Sequence, residues 1–521
     1  MKKIIKLLLI ACMVTNVNAQ TTSFTDVDKI NLNNFGYILD NGTLSGYYTF
    51  YQYDKIDRHT RAYWLPILDN NLKMVKKVSI ERPKNSILME SVFNGSNFAF
   101  VFWDRRDELE LITYDKTGTL TGSHKTEDLA KIEKQFLGAS LGTEDDPRNI
   151  TVFSLGQNGF LRQTFLKNDK TGYLLEAYDN SAKPLWNIGS DPNSKFMEIA
   201  SVIYSSDKYI LANVDKAKGM TSNDPEFSLL AVDATNGKKI FDVPANDATH
   251  DKAITTAFFD EDKKEIIMVG EYYVKGSKIL KTKSIGMYVE RMDMTGKELY
   301  VKKLSWNLDL KKFIQETSGT SGSDKEESEG STFFHKIVRT KDGGIIAIGE
   351  KYKKSVSGWG VASALLNGTH SSTSVMSIKV DDMVAVVLDP SFNLAEYKLV
   401  EKQKSEVTLP QNYGYISTVK LGYIIKMWGG FDYSFSTFDK DANRMVATYI
   451  DYGKMEEGDK KKHAYVGNII IKDKVITTDK FPLPTDATKV LALPAKPGDI
   501  LFVEYYRKKK TINMRLEKVN F

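Results

Sequence analysis

A short pattern recurs seven times along the chain and constrains the fold more than any other feature. In each copy a strand-like apolar run ends in aspartate, two to four turn-forming residues follow, and a more polar strand begins. The aspartates are Asp69, Asp115, Asp179, Asp233, Asp293, Asp389 and Asp439. An aspartate carboxylate can accept hydrogen bonds from backbone N–H groups two residues on, and Gly or Asn readily supplies a positive φ. The pattern therefore predicts a series of β-hairpins.

The spacing of these hairpins predicts the architecture. Successive aspartates are 46, 64, 54, 60, 96 and 50 residues apart. The longest interval contains two polar insertions, 317–332 and 355–374, and omitting those 36 residues brings it to 60. A strand-based repeat of this length is typical of a β-propeller with about four strands per blade.

A short and uniformly apolar strand precedes each hairpin, as expected of the second strand of a propeller blade, which is covered on both faces. Eight segments fit this description: 47–53, 98–103, 150–153, 209–212, 266–270, 345–349, 423–428 and 500–503. We therefore predict an all-β fold with a single β-propeller, in which eight blades are preferred and seven are the alternative.

The chain ends predict how the propeller closes. After 500–503 only 511–521 remains, which is enough for one further strand. We expect a strand from the N-terminal part, around 23–32, to complete the eighth blade and so remove the free sheet edge. The segment 463–481 resembles an additional hairpin that this arrangement does not need.

The first 19 residues predict export. Three lysines lie among the first six residues, 7–14 is apolar, and 17–19 ends in Ala, as in a signal peptide cleaved after Ala19. The propeller domain would then span 20–521, with an exported, periplasmic or extracellular location. The alternative is a lipid anchor on Cys12, since residues 9–12 resemble a lipobox. Cys12 is the chain's one cysteine, which excludes a disulfide-stapled scaffold.

Composition narrows the classes of partner. The chain has 72 Lys+Arg against 67 Asp+Glu, and this near balance does not indicate nucleic acid binding. With 41% hydrophobic residues it is not a mainly disordered chain. No stretch after the signal segment is apolar enough to predict a transmembrane helix.

Motifs for catalysis are sparse. No two of the six histidines lie within five residues of each other, and the chain has no His-Glu-x-x-His, Gly-x-Ser-x-Gly or nucleotide-binding glycine motif. We predict no catalytic residue, no metal and no cofactor. The spacing Asp439-x-Asp441-x-Asn443 suits calcium in part, but a hairpin turn already explains it.

Two residues are predicted to bind a ligand. Trp359 and His370 lie in the insertion 355–374, and an aromatic side chain on a long loop can stack on a sugar or a partner side chain. Glu271, Glu350 and Glu504 each follow an inner strand beside a tyrosine, a placement that favours structural hydrogen bonding over catalysis.

The export segment Val17-Asn18-Ala19-Gln20 and hairpins such as Asp115-Lys116-Thr117-Gly118 resemble those of secreted, β-propeller-like bacterial proteins of unknown function. This resemblance implies no particular activity. We predict a non-enzymatic binding or scaffold protein of the bacterial cell envelope, which recognises a protein or glycan through propeller loops. The alternative is a polysaccharide hydrolase or lyase with carboxylates near the central channel.

Overall fold

The predicted all-β propeller with eight blades is confirmed. A computed structural model describes residues 20–30, 35–40, 43–104, 108–140, 151–166, 172–218, 225–279, 282–313, 331–355, 375–410, 421–422, 425–426, 429–453, 463–496 and 498–519. These residues form eight antiparallel sheets, which are the blades. The first strands of neighbouring blades contact each other around the central axis.

The first four blades follow the chain in order. Blade 1 contains β2 (Lys29–Ile30), β3 (Gly36–Asp40), β4 (Thr43–Tyr48), β5 (Tyr51–Asp54), β6 (Thr60–Asp69) and β7 (Met74–Pro83); blade 2 contains β8 (Ser86–Phe93), β9 (Asn97–Asp104), β10 (Glu108–Asp115) and β11 (Leu120–Thr126); blade 3 contains β12 (Val152–Ser154), β13 (Phe160–Phe165), β14 (Tyr173–Tyr178) and β15 (Pro184–Gly189); blade 4 contains β16 (Met197–Ser205), β17 (Tyr209–Ala217), β18 (Glu226–Asp233) and β19 (Lys239–Pro244). Helix α1 (Lys131–Ser140) lies between blades 2 and 3.

The last four blades complete the ring. Blade 5 contains β20 (His250–Asp260), β21 (Glu265–Val274), β22 (Gly286–Met292) and β23 (Glu298–Ser305); blade 6 contains β24 (Ser331–Arg339), β25 (Ile345–Ser355), β26 (Val375–Leu388) and β27 (Leu394–Val400), with β28 (Ser405–Pro410) paired to β26; blade 7 contains β29 (Tyr433–Asp439), β30 (Arg444–Tyr452), β31 (Ala464–Lys472) and β32 (Val475–Leu483); blade 8 contains β33 (Lys489–Pro494), β34 (Asp499–Tyr506), β35 (Thr511–Lys518) and β1 (Thr21–Phe24). A π-helical turn, Trp306–Leu310, follows β23. None of the helical segments in the described ranges is long and apolar enough to cross a membrane.

The predicted closure by the two chain ends is confirmed. Strand β1 pairs antiparallel with β35, so that Thr22 lies opposite Met514. Phe24 is buried there, with its ring 5.8 Å from that of Tyr51 in blade 1. The N-terminal strand therefore covers the last sheet edge and also packs on the first blade.

Two of the eight predicted inner strands are wrong. In blade 3 the second strand is β13, whereas β12, which overlaps the predicted segment 150–153, forms the first strand. In blade 7 the second strand is β30, and the apparently surplus hairpin 463–481 supplies the third and fourth strands. The described part of 423–428 is helical, because Leu421 and Ile425 lie one helical turn apart and both pack in the cluster that contains Phe333.

The aspartate hairpins work as expected in blades 1 to 6, where they join the third and fourth strands. In each of these blades the aspartate Oδ1 accepts a hydrogen bond from the backbone N–H two residues on. The residue that then adopts a positive φ is glycine in blades 2, 4 and 5, but Leu72, Ala182 and Phe392 take this position in the others. These three side chains are buried, so packing offsets the backbone cost. In blade 7 the Asp439 turn joins the first and second strands instead.

The up-and-down order of the strands in each blade gives the propeller two different faces. Because the first and third strands of a blade run in the same direction, the turns from strand one to two and from three to four share one face, the hairpin face. The connections from strand two to three and from one blade to the next share the opposite, loop face. Both predicted insertions fall within connections whose described ends lie at the loop face, and their residues Ser331, Thr332 and Ser355 are strand residues. Residues 314–330 and 356–374 lie outside the described residues.

Candidate functional site

A cavity of about 690 Å³ opens at the hairpin face. The first strands and first turns of blades 4 to 7 form its walls. We call it the channel-mouth cavity. Since four blades contribute to it, residues that are more than two hundred positions apart in sequence, such as Ile203 and Lys440, line the same space.

An irregularity in the first strands directs side chains into the cavity. In blades 4 to 7 the first strand carries one extra residue relative to the second, at Ile203, Thr255, His335 and Ser434. A β-bulge of this kind bends a strand and turns the neighbouring side chains. Tyr204, Thr256 and Lys336, which follow the extra residues in blades 4 to 6, line the cavity.

The cavity has an apolar wall. Half-buried side chains from all four blades form it: Ile203, Tyr204, Phe258, Phe259, Ile337, Val338 and Phe438. Each packs on one side against a core cluster of the blades, so its position is fixed. Phe259 also contacts the ring of Tyr209 at a centroid distance of 4.6 Å. The wall is therefore a rigid surface on which an apolar ligand could pack.

The carboxylates of blade 5 at the mouth of the cavity are paired with cations of other blades. Asp260 forms an ion pair with Arg339 of blade 6. Asp262 lies 3.3 Å from Lys440 of blade 7, so this pair bridges two blades that are not neighbours. Glu261 lies 3.4 Å from Lys208 of blade 4.

The fourth carboxylate of the cavity, that of Asp342, accepts a hydrogen bond of 2.5 Å from the Thr340 hydroxyl, which lowers the pKa of Asp342. Each of the four described carboxylates of the cavity is thus held by a partner.

Lys336 and Lys263 differ from the other charged groups of the cavity, which have ionic or hydrogen-bonding side-chain partners; Lys263 lies in the turn 261–264 at the mouth, whereas Lys336 lies within the first strand of blade 6. Among the residues that the structure describes, no hydrogen bond or ion pair involves the ammonium group of Lys336, although water can reach it. Surrounding protein lowers the pKa of Lys336, because partial burial disfavours its charge. The cavity lining contains five cations and four carboxylates, so its net charge is positive.

A second lysine lies close to Lys336. Burial, together with repulsion from Lys336, lowers the pKa of Lys426. The Lys426 ammonium lies 5.5 Å from the centre of the Phe333 ring, a contact between a cation and an aromatic face.

The loop face contains a different kind of charged site, of which the described residues form three. In each a buried cation lies between two carboxylates, and at least one of the three groups belongs to a connection between blades. The cations are Arg162 with Glu133 and Glu176, Lys252 with Asp247 and Glu290, and Lys402 with Glu350 and Asp432. We call these three sites the loop-face clamps. They join blades rather than line a large cavity.

The clamp at Lys402 is the most buried. Its ammonium, which has no exposed surface, lies 3.0 Å from Glu350 and 2.5 Å from Asp432. Burial raises the pKa of Asp432 to about 6. Glu350 also accepts hydrogen bonds from the backbone N–H groups of Asp432 and Tyr433, where blade 7 begins. His335 lies 3.3 Å from Glu350 and stacks on Tyr433, and burial lowers the pKa of His335.

The glutamates singled out in the sequence belong to separate networks. Glu350 is part of the Lys402 clamp, whereas Glu271 accepts a hydrogen bond of 2.7 Å from the Tyr273 hydroxyl, and burial raises the pKa of Glu271 to about 7. Glu504 lies 3.4 Å from Arg515. These contacts are of the structural kind that the sequence favours.

The predicted binding residues, Trp359 and His370, lie in the segment 356–374 between β25 and β26, outside the described residues, and their role stays a prediction. Asp441, in the weak calcium pattern, is fully exposed in a hairpin turn. Within the described ranges, no three His, Cys, Asp or Glu side chains lie close enough together to hold a metal ion.

Sequence reasoning missed the channel-mouth cavity, although one signal was available. Lys336 interrupts the otherwise apolar and aromatic run Phe333–Val338. A lysine in such a run is unusual, because lysine is almost never fully buried unless it is paired.

Comparisons with solved structures gave distant likenesses only. A quinohemoprotein alcohol dehydrogenase from Pseudomonas putida HK5 is 10% identical, with 96% of this chain and 77% of that chain covered and a TM-score of 0.42. The Nup133 β-propeller domain of Vanderwaltozyma polyspora is 10% identical, with 97% of this chain and 99% of that chain covered and a TM-score of 0.35. Prolyl oligopeptidase B from Galerina marginata is 10% identical over 91% of this chain, which spans 55% of that enzyme, with a TM-score of 0.37. Likenesses this distant carry no argument about activity.

Searches by sequence gave one result. The model of a family of unknown function, DUF6770, matches residues 1–520. Among curated proteins no match was found.

Proposed function

The chain belongs to the DUF6770 family, whose function is unknown, and we propose that it is a binding protein whose ligand occupies the channel-mouth cavity. The observation that carries this proposal is the cavity itself. Its volume of about 690 Å³ lies within the range of known ligand sites, roughly 300–1,000 Å³, and its lining combines an apolar wall with nine charged groups.

The state of the carboxylates favours binding over catalysis. A polysaccharide hydrolase needs one carboxyl group that stays protonated near neutral pH and a second that is free to act as base or nucleophile. Asp260, Glu261 and Asp262 are each engaged by a cation of another blade. A low pKa, as at Asp342, is the opposite of what a general acid requires. The hydrolase or lyase alternative is therefore the weaker proposal.

We further propose that the protein acts in the bacterial cell envelope after export. The basic and apolar start of the chain supports this location. The mass of the protein recovered from an expressing bacterium distinguishes the two modes of export. A chain that begins at Gln20 supports simple secretion, a chain that begins at a lipidated Cys12 supports anchoring, and an uncleaved chain in the cytoplasm contradicts both.

A second surface for partners is proposed at the loop face, in the insertion that contains Trp359 and His370. Its position between β25 and β26 supports this proposal, because long loops on a rigid scaffold commonly carry recognition. Deletion of 356–374 should abolish binding of a glycan or envelope protein at that face while leaving binding in the channel-mouth cavity intact.

The cavity proposal is tested with a neutral aromatic probe, phenylnaphthylamine, whose fluorescence rises in apolar sites. Phe438→Ala should weaken binding because it removes part of the apolar wall. The matched control is Tyr300→Ala, since Tyr300 is a partly exposed aromatic residue of the outer strand β23, and this change should leave binding unaltered. Equal affinities for the two variants would place the probe elsewhere and contradict the proposal.

A further inference from the structure

We propose that the ligand of the channel-mouth cavity carries an anionic group on an apolar body, and that the ammonium group of Lys336 binds the anionic group. This inference rests on the proposed function, because it assumes that a ligand occupies the cavity. It adds the chemical class of the ligand and the residue that selects it.

The first argument concerns charge. Asp260 and Asp262 already have cation partners on blades 6 and 7, whereas Lys336 has none among the described residues. A cationic ligand would have to displace an existing ion pair, but an anionic ligand would meet an ammonium group that is free to receive it. The positive net charge of the lining favours the anion as well.

The second argument concerns position. Lys336 follows the bulge of β24, beside Ile337 and Val338, and is therefore set back along the strand from the turn Thr340–Gly343 at the mouth. Phe258 and Phe438 face the same space from blades 5 and 7. A ligand that binds Lys336 within this cavity therefore also meets aromatic walls, which favours an apolar body attached to the anionic group.

The third argument concerns repulsion between two lysines. Lys336 and Lys426 repel each other, although both side chains are exposed to water. Two like charges close together are unfavourable, and a counter-charge reduces that cost. A bound anion would supply that counter-charge, so part of the binding free energy would come from relief of this repulsion.

The experiment compares two probes that share an aromatic body. Anilinonaphthalene sulfonate carries a sulfonate group, and phenylnaphthylamine is its neutral counterpart. The full-length protein should bind the sulfonate at least about tenfold more tightly than the neutral probe. Lys336→Met should remove most of this preference, weakening sulfonate binding about tenfold while leaving binding of the neutral probe unchanged.

Lys239→Met is the control. Lys239 is exposed on the outer strand β19 of blade 4 and does not line the cavity, so its loss should change neither affinity. Raising sodium chloride from about 50 mM to about 500 mM should weaken sulfonate binding to the wild type and have little effect on the Lys336→Met variant. This salt dependence in the unaltered protein gives the answer even if the variant does not fold.

The outcomes separate the two proposals. If Lys336→Met leaves sulfonate binding unchanged, or if the sulfonate binds no more tightly than the neutral probe, the anion inference is wrong while the cavity can still be the site. If Phe438→Ala weakens neither probe, the channel-mouth cavity is not the site and the proposed function fails with it.

Discussion

The two faces of this propeller use charge in opposite ways. At the hairpin face the outer ion pairs are open to water, with 62% and 79% of the side-chain surface of Lys440 and Asp262 exposed, whereas the Asp260–Arg339 pair is only 11% exposed on each side. At the loop face the clamp residues Lys402 and Glu350 have none. Exposed pairs contribute little to stability, but a buried charge that loses its partner is strongly destabilising.

This difference assigns separate tasks to the two faces. The loop-face clamps tie connections between blades to the blades themselves. The exposed pair Asp262–Lys440 at the hairpin face is weak enough for a ligand to rearrange, yet it stands on short turns whose backbone is held by the side chains of Asp260 and Asp439. If the cavity binds the ligand as proposed, that recognition lies at the end of the strands opposite the most buried ion pairs.

The largest effect is expected at the clamp of blade 6. Lys402→Met should lower the free energy of unfolding by about 3–5 kcal/mol, because it leaves Glu350 and Asp432 buried without their cation. Urea unfolding measures this loss. The loss of stability should become smaller as the pH falls from about 7 to about 5. In the folded variant Glu350 and Asp432 then take up protons, whereas the same carboxylates in the unfolded chain are still ionised. A loss below about 1 kcal/mol would show that the clamp does not hold the loop face.

A smaller loss is expected at the clamp of blade 5. Lys252→Met should cost about 2–3 kcal/mol, because Asp247 keeps its ion pair of 2.8 Å with Lys303 and only Glu290 is left without its cation. Thermal or urea unfolding of this variant beside Lys402→Met checks the ranking. If Lys252→Met proved the more damaging change, the number of uncompensated carboxylates would not be what determines clamp strength.

The hairpin face should respond more weakly. Asp233→Ala should cost about 1 kcal/mol, because it removes the acceptor for the Thr235 N–H and hydroxyl groups, as loss of a helix cap does. Asp233→Asn keeps an acceptor oxygen and should cost less. The Thr235 hydroxyl lowers the pKa of Asp233, so its contribution is present above the unfolded pKa of about 3.9 and is lost as the pH falls through the lower folded value. If Asp233→Ala left the free energy of unfolding unchanged at neutral pH, this role of Asp233 would be contradicted.

The smallest effect on stability is expected across the cavity mouth. Lys440→Met breaks the pair with Asp262 and should change the free energy of unfolding by less than about 1 kcal/mol, because both side chains are exposed. The same change should speed the association of phenylnaphthylamine, measured by stopped-flow fluorescence, since the pair bridges blades 5 and 7 at the mouth. A large loss of stability would mean that the hairpin face also holds the ring together.

The sequence predicts the fold well because the informative patterns are local. An aspartate such as Asp115 organises its own turn, and the buried second strand β9 is apolar throughout, so neither depends on distant contacts. The prediction was wrong in blade 7 because the segment 423–428 is apolar for another reason. Its neighbours Leu421 and Ile425 pack on blade 6 as a helical turn rather than as a strand.

The cavity could not be predicted in the same way. Its walls come from four blades, and the placement of Lys336 beside Phe258 and Phe438 depends on how those blades are arranged around the axis. The pairing of Asp262 with Lys440 likewise joins residues 178 positions apart. A single sequence shows that such residues exist but not that they share a space.

Hydrogen–deuterium exchange of the full-length protein, with and without anilinonaphthalene sulfonate, tests most directly whether the hairpin face is the binding face. The account predicts that the probe slows exchange in peptides covering 256–263 and 336–343, which line the channel-mouth cavity, and leaves the loop-face ends of β25 and β26 unchanged. Slower exchange confined to those loop-face ends, with none at the cavity, would contradict it.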